Sequence, residues 1–265
     1  MRLQIIGGGN MGSALLLGLV KHGWAKPEDL HVVEPDAGRR LVLRSTVDKV
    51  SIGCETVVGV DAVIAVKPKD VDIVLPALTT AEAPRVLSIA AGIRCEVLEA
   101  GLPEGTPVLR CMPNTPALVG QGAAAVAAGS SASADDLDWA AGILKAVGTV
   151  ETVAEADLDA VTGLSGSGPA YLFRLAEVMI SAGVEQGLTA QMAHRLTCQT
   201  LLGAATMLAS SDGHPEALRA QVTSPGGTTA AGLAVLEEAD FEGLVGRVIS
   251  AAVQRSRELG RIPKN

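Results

Sequence analysis

The first 150 residues alternate between short Val/Ile-rich runs and stretches with apolar residues at helical spacing. The apolar runs predict strands at Leu3–Ile6, Leu30–Val33, Ala62–Val66, Val86–Ile89, Val108–Arg110 and Ala123–Ala127. Helical spacing is found between them, at Ser13–His22, Asp70–Leu78 and Ala134–Val147. This alternation predicts a mostly parallel sheet with right-handed crossovers, in which residues 123–134 form an edge strand and a turn.

Beyond about residue 155 the strand signals end and the pattern becomes helical. Helices are predicted at Ala170–Gln186, Ala190–Ala209, Pro215–Gln221, Thr229–Glu238 and Glu242–Leu259, with breaks at 187–189, 210–214 and 239–240. We therefore expect an α/β plus all-α fold. Its α/β domain would span residues 1–153 and its helical domain residues 154–265.

Composition favours small-molecule chemistry. The net charge is −8 and no basic run exceeds the pair Arg39-Arg40, which argues against nucleic acid or an anionic membrane as a partner. No stretch approaches 18 uninterrupted apolar residues, and the chain starts on a strand without a targeting segment. The four cysteines show no CxxC spacing and do not cluster with His or carboxylates. We expect a cytoplasmic protein without a metal.

A glycine loop follows the first predicted strand. It reads Gly7-Gly8-Gly9-Asn10-Met11-Gly12 and matches GxGxxG between a strand and a helix. In such loops the first glycine permits a tight turn, the second lets a pyrophosphate approach the backbone, and the third lets helix and strand pack closely. A plain glycine turn is the alternative, but the context favours a dinucleotide site.

The end of the second strand bears on the type of dinucleotide. Glu34 lies there, 22 residues after Gly12, where a carboxylate can accept hydrogen bonds from a ribose 2′-OH and repel a 2′-phosphate. Arg39 and Arg40 follow, and their guanidinium groups could bind a phosphate or form a solvated helix face. NADH and NADPH both remain open on these residues.

A second loop precedes an apolar helical run near the C-terminus. It reads Thr223-Ser224-Pro225-Gly226-Gly227-Thr228-Thr229. A capped helix start needs one Ser or Thr, whereas this loop has four hydroxyl side chains around two glycines. Free N–H groups at a helix N-terminus suit a small carboxylate, so we expect a ligand here.

Four longer segments are more specific to one protein family than the glycine loop is. They are Ala65–Pro68, Arg110–Pro116, Val161–Tyr171 and Val222–Thr229. With the glycine loop they closely resemble the pyrroline-5-carboxylate reductase family, and the resemblance extends almost to Arg257–Leu259. It implies an enzyme that reduces the C=N bond of 1-pyrroline-5-carboxylate to L-proline by hydride transfer from NADPH or NADH, the last step of proline biosynthesis.

The resemblance also implies an architecture. It identifies 1–153 as a Rossmann dinucleotide-binding domain and 154–265 as a helical dimerisation and substrate domain. The protein is then a homo-oligomer built on a dimer, and its active site forms where the two domains of neighbouring protomers meet.

Further site residues follow from the resemblance. They are cofactor contacts at Ala65, Val66, Lys67, Pro68, Ala91 and Asn114, and a substrate contact at Glu155. A surface lysine is the alternative for the Lys67 side chain, a structural turn for Asn114, and a solvated carboxylate in the first turn of a helix for Glu155. Pro169 suits the first position of the following helix, with Ser167 or Gly168 as its cap.

The second loop then becomes a substrate site. We expect the N–H groups of Gly226, Gly227 and Thr228 to hold the pyrroline carboxylate beside Ser224, and Thr229 to contact the ring nitrogen as the catalytic residue. A threonine hydroxyl is a poor acid, so Thr229 orients the imine and relays a proton.

Two other functions are weighed against this one. β-Hydroxyacid and 6-phosphogluconate dehydrogenases share the domain plan but need a lysine on the helical domain, and residues 155–260 contain none. A catalytically silent dinucleotide sensor gives no reason for the loop at 223–229.

Overall fold

The computed structural model describes residues 1–210 and 214–260. Residues 211–213 of the predicted break and residues 261–265 of the predicted helical domain lie outside them. The chain divides into two compact units, one made of 1–169 with the segment from Ala251 onward, the other of 170–250. The boundary at 153/154 stays a prediction.

Within the described residues the first unit contains one eight-stranded sheet. Its strands are β1 (Leu3–Ile6), β2 (Leu30–Val33), β3 (Ser51–Gly53), β4 (Ala62–Ile64), β5 (Val86–Ser88), β6 (Val108–Met112), β7 (Gly122–Ala128) and β8 (Gly148–Thr152). They lie in the order β3-β2-β1-β4-β5-β6-β7-β8. Among these described strands, only the β6–β7 pair is antiparallel.

Six helices flank or follow this sheet in the described part of the first unit. They are α1 (Asn10–Lys21), α2 (Ala37–Thr46), α3 (Val71–Thr80), α4 (Cys95–Ala100), α5 (Ala134–Leu144) and α6 (Leu158–Val161). Short 3₁₀ turns lie at Pro27–Asp29, Pro68–Asp70, Thr115–Val119, Lys145–Val147 and Glu155–Asp157.

The central strands are buried on both faces, which explains their continuous apolar sequences. Ile5 packs in one core with Leu15 and Leu19 of α1, whereas the next residue, Ile6, packs in a second core with Leu75 of α3. Successive side chains of a strand point to opposite faces, so the sheet separates two layers of helices. The predicted α/β architecture is confirmed.

The sequence prediction missed two strands and placed a third at the edge of the sheet, although it lies inside. The pattern missed β3, which has three residues, and β8, whose sequence GTVET is largely exposed. Because β8 pairs with β7, the stretch predicted as an edge strand lies inside the sheet. Short or half-exposed strands leave little hydrophobic signal, which is why the pattern placed the edge wrongly.

The second unit is helical. Its helices are α7 (Gly168–Glu185, which starts in the first unit), α8 (Ala190–Ser210), α9 (Pro215–Gln221), α10 (Thr228–Glu238) and α11 (Phe241–Leu259, which ends in the first unit). The predicted helices are all present, with ends that shift by at most three residues. In the described part of the chain no helix is both long and apolar enough to cross a membrane.

The segment before α7 is a correction. We expected a capped helix start at Ser167 or Gly168, but the chain is already helical from Leu158, and residues Thr162–Gly166 form a π-helical turn. The N–H of Ser167 donates to the Thr162 carbonyl at 2.8 Å. Ser167 itself has helical backbone angles, φ −85° and ψ −20°, so it does not take the extended conformation of an N-cap.

Candidate active site

The predicted cofactor residues follow the carboxyl ends of parallel strands. The glycine loop follows β1, Glu34 follows β2 and Ala65–Pro68 follow β4. β1 lies between β2 and β4, so the strand order reverses here, and open α/β sheets bind ligands at such a switch point. A cleft of about 1580 Å³ lies at this edge. The predicted residues that line it are Gly7, Gly8, Gly9, Asn10, Met11, Glu34, Ala65, Val66 and Lys67.

Steric limits explain two glycines of the loop. Gly7 has φ of +109°, and a Cβ there would lie 2.8 Å from the Ala65 carbonyl oxygen. A Cβ on Gly12 would lie 1.9 Å from the Gly7 carbonyl oxygen. Both positions therefore require glycine, because α1 starts in contact with the turn that precedes it.

The start of α1 fits a phosphate. Its N-cap is Gly9, and the N–H groups of Asn10, Met11 and Gly12 have no acceptor within the residues described. A Cβ on Gly9 would meet no atom within 4 Å, so the loop is open on this side. Free N–H groups, the helix dipole and open space together suit the pyrophosphate of a dinucleotide.

Glu34 is buried beside this loop, with 3% of its surface exposed. One carboxylate oxygen accepts the Gly8 N–H at 3.0 Å and the other accepts the Asp36 N–H at 2.9 Å. The Arg39 guanidinium lies 3.9 Å away. Arg40 instead donates to the Glu34 carbonyl at 2.8 Å and to the Pro35 carbonyl at 2.7 Å.

The other predicted cofactor residues differ in their exposure and in their hydrogen bonds. Lys67 and Pro68 are exposed at the end of β4, and Ala91 is exposed in the loop after β5. The Asn114 amide donates to the Ser165 carbonyl at 3.1 Å and accepts the Ala123 N–H at 2.9 Å. Asn114 thus ties three segments together, and its role toward a cofactor stays a prediction.

The loop at 223–229 lies between α9 and α10. The Thr223 hydroxyl donates to the Arg219 carbonyl at 2.6 Å, and Gly226 has φ of +67°. The Gly227 N–H donates to the Ser224 carbonyl at 3.0 Å. A Cβ on Gly227 would lie 3.2 Å from the Ser224 carbonyl oxygen, so the turn is tight at this residue.

The hydroxyls of this loop do not cap α10. Its N-cap is Gly227, and no side chain of the described residues bonds to the first turn. The N–H groups of Gly226, Thr228 and Thr229 and the hydroxyls of Thr228 and Thr229 also have no partner among the residues that the structure describes. Both threonines are exposed. The donors that a carboxylate would use are therefore unoccupied by internal bonds.

Glu155 is held in an internal network. Its carboxylate accepts the Cys95 N–H at 2.7 Å and pairs with Arg110, which is 7% exposed, at 3.0 Å. Burial alone would raise the pKa of Glu155, but the bonds from Cys95 and Arg110 outweigh it and hold the pKa below its usual range. Burial and the Glu155 carboxylate raise the pKa of the Cys95 thiol to about 12.

Sequence reasoning missed the partner of Glu155 and the far wall of the cleft. Arg110 stands in a strand otherwise made of apolar residues, a pattern that signals a buried ion pair. Val58 and Ile73 line the cleft although 67% and 74% of their surfaces are exposed. Neither stands in a motif, so only the fold connects them to the glycine loop.

Known proteins match both halves of the chain. Residues 155–259 match the family model described as pyrroline-5-carboxylate reductase dimerisation, and residues 2–92 match the model described as NADP oxidoreductase coenzyme F420-dependent. Pyrroline-5-carboxylate reductase of Synechocystis sp. is 42% identical over 98% of this chain and 99% of its own.

Solved structures agree with these matches. The structure of a pyrroline-5-carboxylate reductase from Coxiella burnetii has a TM-score of 0.90 and 34% identity, and covers 98% of this chain and 99% of its own. That of Plasmodium falciparum pyrroline carboxylate reductase, with NADP bound, has a TM-score of 0.83 and 29% identity, and covers 98% of both chains. Within the described residues no group of His, Cys, Asp or Glu forms a metal cluster.

The Glu155 network leads to a stability prediction. Glu155→Gln removes the charge opposite buried Arg110, so the free energy of unfolding at pH 7 should fall by about 1–2 kcal/mol, a modest value because the Glu155 side chain is 30% exposed. Glu151→Gln, an exposed carboxylate four residues earlier, is the control and should change it by less than about 0.5 kcal/mol. Urea unfolding at a fixed protein concentration measures both.

The same pair predicts a pH dependence. Because folding lowers the pKa of Glu155, its stabilisation is complete above the unfolded pKa of about 4.3 and is lost as the pH falls through the folded pKa. The difference between wild type and Glu155→Gln should therefore be constant from about pH 6 to 8 and shrink below about pH 4. A difference that grows on acidification would contradict this assignment.

Proposed function

The chain belongs to the pyrroline-5-carboxylate reductase family, and on that premise we propose how its residues divide the reaction. The reaction is the reduction of the C=N bond of 1-pyrroline-5-carboxylate to L-proline with NAD(P)H, the last step of proline biosynthesis. The observation that carries the assignment of residues is the start of α10, where backbone donors and two threonine hydroxyls have no bond inside the described chain.

The first unit holds the coenzyme. The N–H groups of Asn10, Met11 and Gly12 take the pyrophosphate, and Ala65–Pro68 with Ala91 and Asn114 form the wall beyond β4. The bound coenzyme supplies the hydride, and the protein supplies orientation and a proton path.

The loop at 223–229 holds the substrate carboxylate. Gly226 and Thr228 are its main donors because their N–H groups have no internal acceptor in the described structure. The Gly227 N–H contributes only if it exchanges the Ser224 carbonyl for the substrate. The dipole of α10 adds a favourable field for the negative charge.

Thr229 contacts the ring nitrogen. Its hydroxyl can accept a hydrogen bond from a protonated imine, and the same geometry aligns the C=N carbon for hydride transfer. With its ordinary acidity a threonine cannot generate the proton, so Thr229 orients the imine and passes a proton on. Glu155 lies in the first unit, where its carboxylate binds Cys95 and Arg110, and its predicted contact with the substrate stays a prediction.

The second unit supports self-association. In its described part only Ala193 and Thr197 are buried, whereas large apolar side chains such as Phe173, Leu196 and Val235 are more than half exposed. Helices that bury so little are not stable alone and need a partner surface. The matched dimerisation model supports a second copy of this chain as that partner.

The remaining partners follow from chemistry. The net charge of −8 supports a small-molecule role without nucleic acid, and we place the reaction in the cytoplasm because its coenzyme is a soluble reductant there.

Thr229 gives the first test of the mechanism. Thr229→Val should lower kcat/KM for 1-pyrroline-5-carboxylate by about 10- to 100-fold and leave coenzyme binding unchanged, because the lost hydroxyl contacts only the imine. Thr229→Ser should recover most of the activity. Thr228→Val is the matched control and should stay within about threefold, since Thr228 acts through its N–H. An equal loss in both valine variants would remove the hydroxyl of Thr229 from the mechanism.

The apolar helices give the second test. Phe173→Asp on α7 should shift the protein toward monomer in sedimentation velocity, because a charge in an apolar interface is costly. Leu41→Asp on α2 is the control: Leu41 is 69% exposed on the first unit and does not line the cleft. The proposed interface is wrong if the two variants keep the same oligomeric state as wild type.

A further inference from the structure

Glu34 occupies the place where many dinucleotide sites read the ribose, yet its carboxylate is used internally. Both oxygens accept backbone N–H groups, one from Gly8 at 3.0 Å and one from Asp36 at 2.9 Å. Only 3% of the residue is exposed. Bonds from N–H groups to a charged acceptor are about twice as strong as neutral ones, so these contacts fix the carboxylate firmly.

The Gly8 contact fixes the glycine loop as well. The preceding residue, Gly7, donates its N–H to the Val33 carbonyl at 2.8 Å, so two consecutive loop amides bind the end of β2. A Cβ on Gly8 would lie 2.5 Å from Leu43 Cδ1 and 3.3 Å from Glu34 Cβ, so Leu43 and Glu34 pack closely against the loop at this residue.

We propose that Glu34 is a positioning residue that holds the glycine loop in its pyrophosphate-binding shape, and that Arg39 alone reads the ribose 2′ position. This inference rests on the proposed function of the cleft. It assigns NADPH as the preferred coenzyme, since the group left to face the 2′ position is a cation.

The two arginines differ in what they already bind. Arg40 donates to two backbone carbonyls and so fixes the turn after β2. The Arg39 side chain is 64% exposed, lines the cleft and makes no hydrogen bond to the residues that the structure describes. Its 3.9 Å approach to Glu34 leaves the guanidinium free to form bidentate bonds with a phosphate.

The charges around Glu34 are consistent with separate roles for Glu34 and Arg39. The negative charge of Glu34 is met by two N–H groups and by the nearby Arg39. Glu34 is thus a compensated and buried charge at the edge of the cleft, whereas a selector must present an oxygen to the ribose. The two roles predict opposite changes in NADPH affinity when the carboxylate is removed. A positioning residue predicts weaker binding, and a selector predicts tighter binding.

The test compares coenzyme dissociation constants by calorimetry, without substrate. For Glu34→Gln we expect Kd to rise by about fivefold for NADPH and for NADH alike, because the loop contacts the pyrophosphate that both share. For Arg39→Ala we expect NADPH alone to weaken, by about tenfold or more. Glu104→Gln removes an exposed carboxylate that does not line the cleft, and as the control it should change neither Kd.

Hydrogen exchange of the Gly8 amide in the coenzyme-free protein is the second readout. The Gly8 amide should exchange faster in Glu34→Gln than in wild type, and its exchange should stay unchanged in Glu104→Gln. Tighter NADPH and weaker NADH in Glu34→Gln would make Glu34 the selector and overturn the proposal, as would an unchanged Gly8 exchange rate. Failure of the reductase assignment would show separately, as coenzyme binding without turnover of 1-pyrroline-5-carboxylate.

Discussion

Backbone N–H groups at the start of a helix need acceptors, and four helices of this chain differ in whether their own side chains supply one. α2 and α5 use their own side chains: Asp36 accepts the Arg39 N–H, and Ser133 forms a capping box with Asp136. α1 and α10 start instead at Gly9 and Gly227, both in extended conformation. A glycine cap offers no side-chain acceptor, so the first N–H groups of both helices stay without an acceptor among the described residues. The two proposed binding loops thus share one feature, a helix start with a glycine N-cap and no side-chain acceptor.

The glycines and hydroxyl side chains of these two loops do not cap the helices that follow. At α1 the glycines let the turn and the helix approach within contact distance, as the Gly12 and Gly7 contact requires. At α10 the hydroxyl of Thr223 is turned back to the preceding helix, and those of Thr228 and Thr229 are exposed. Both helix starts thus lack the stabilisation of a side-chain cap, and under the proposed function a charged ligand group supplies it.

The sequence predicted elements with a strong periodic signal and motifs that depend on backbone shape. β1, β2 and the glycine loop were predictable because a doubly buried strand and a tight turn each restrict residue type. The exposed strand β8 and the π-turn at Thr162–Gly166 were not, because a short half-exposed strand and a single widened helical turn leave no periodicity. The partners of Glu34 and Asn114 were unpredictable too, because spacing places a side chain at an edge but does not say which donors reach it.

Glu34 shows why this distinction matters for function. Its position, 22 residues after Gly12, suits either a ribose contact or a support for the loop, and both readings use a carboxylate. The two roles differ in which groups donate hydrogen bonds to the carboxylate: the ribose hydroxyl in the first, backbone N–H groups of the protein in the second. With Gly8 and Asp36 as donors, the Glu34 carboxylate is bonded to the backbone of its own domain and is only 3% exposed. A selectivity rule based on an acidic residue after the second strand therefore requires that the carboxylate can still reach the ribose, and its internal bonds and burial bear on whether it can.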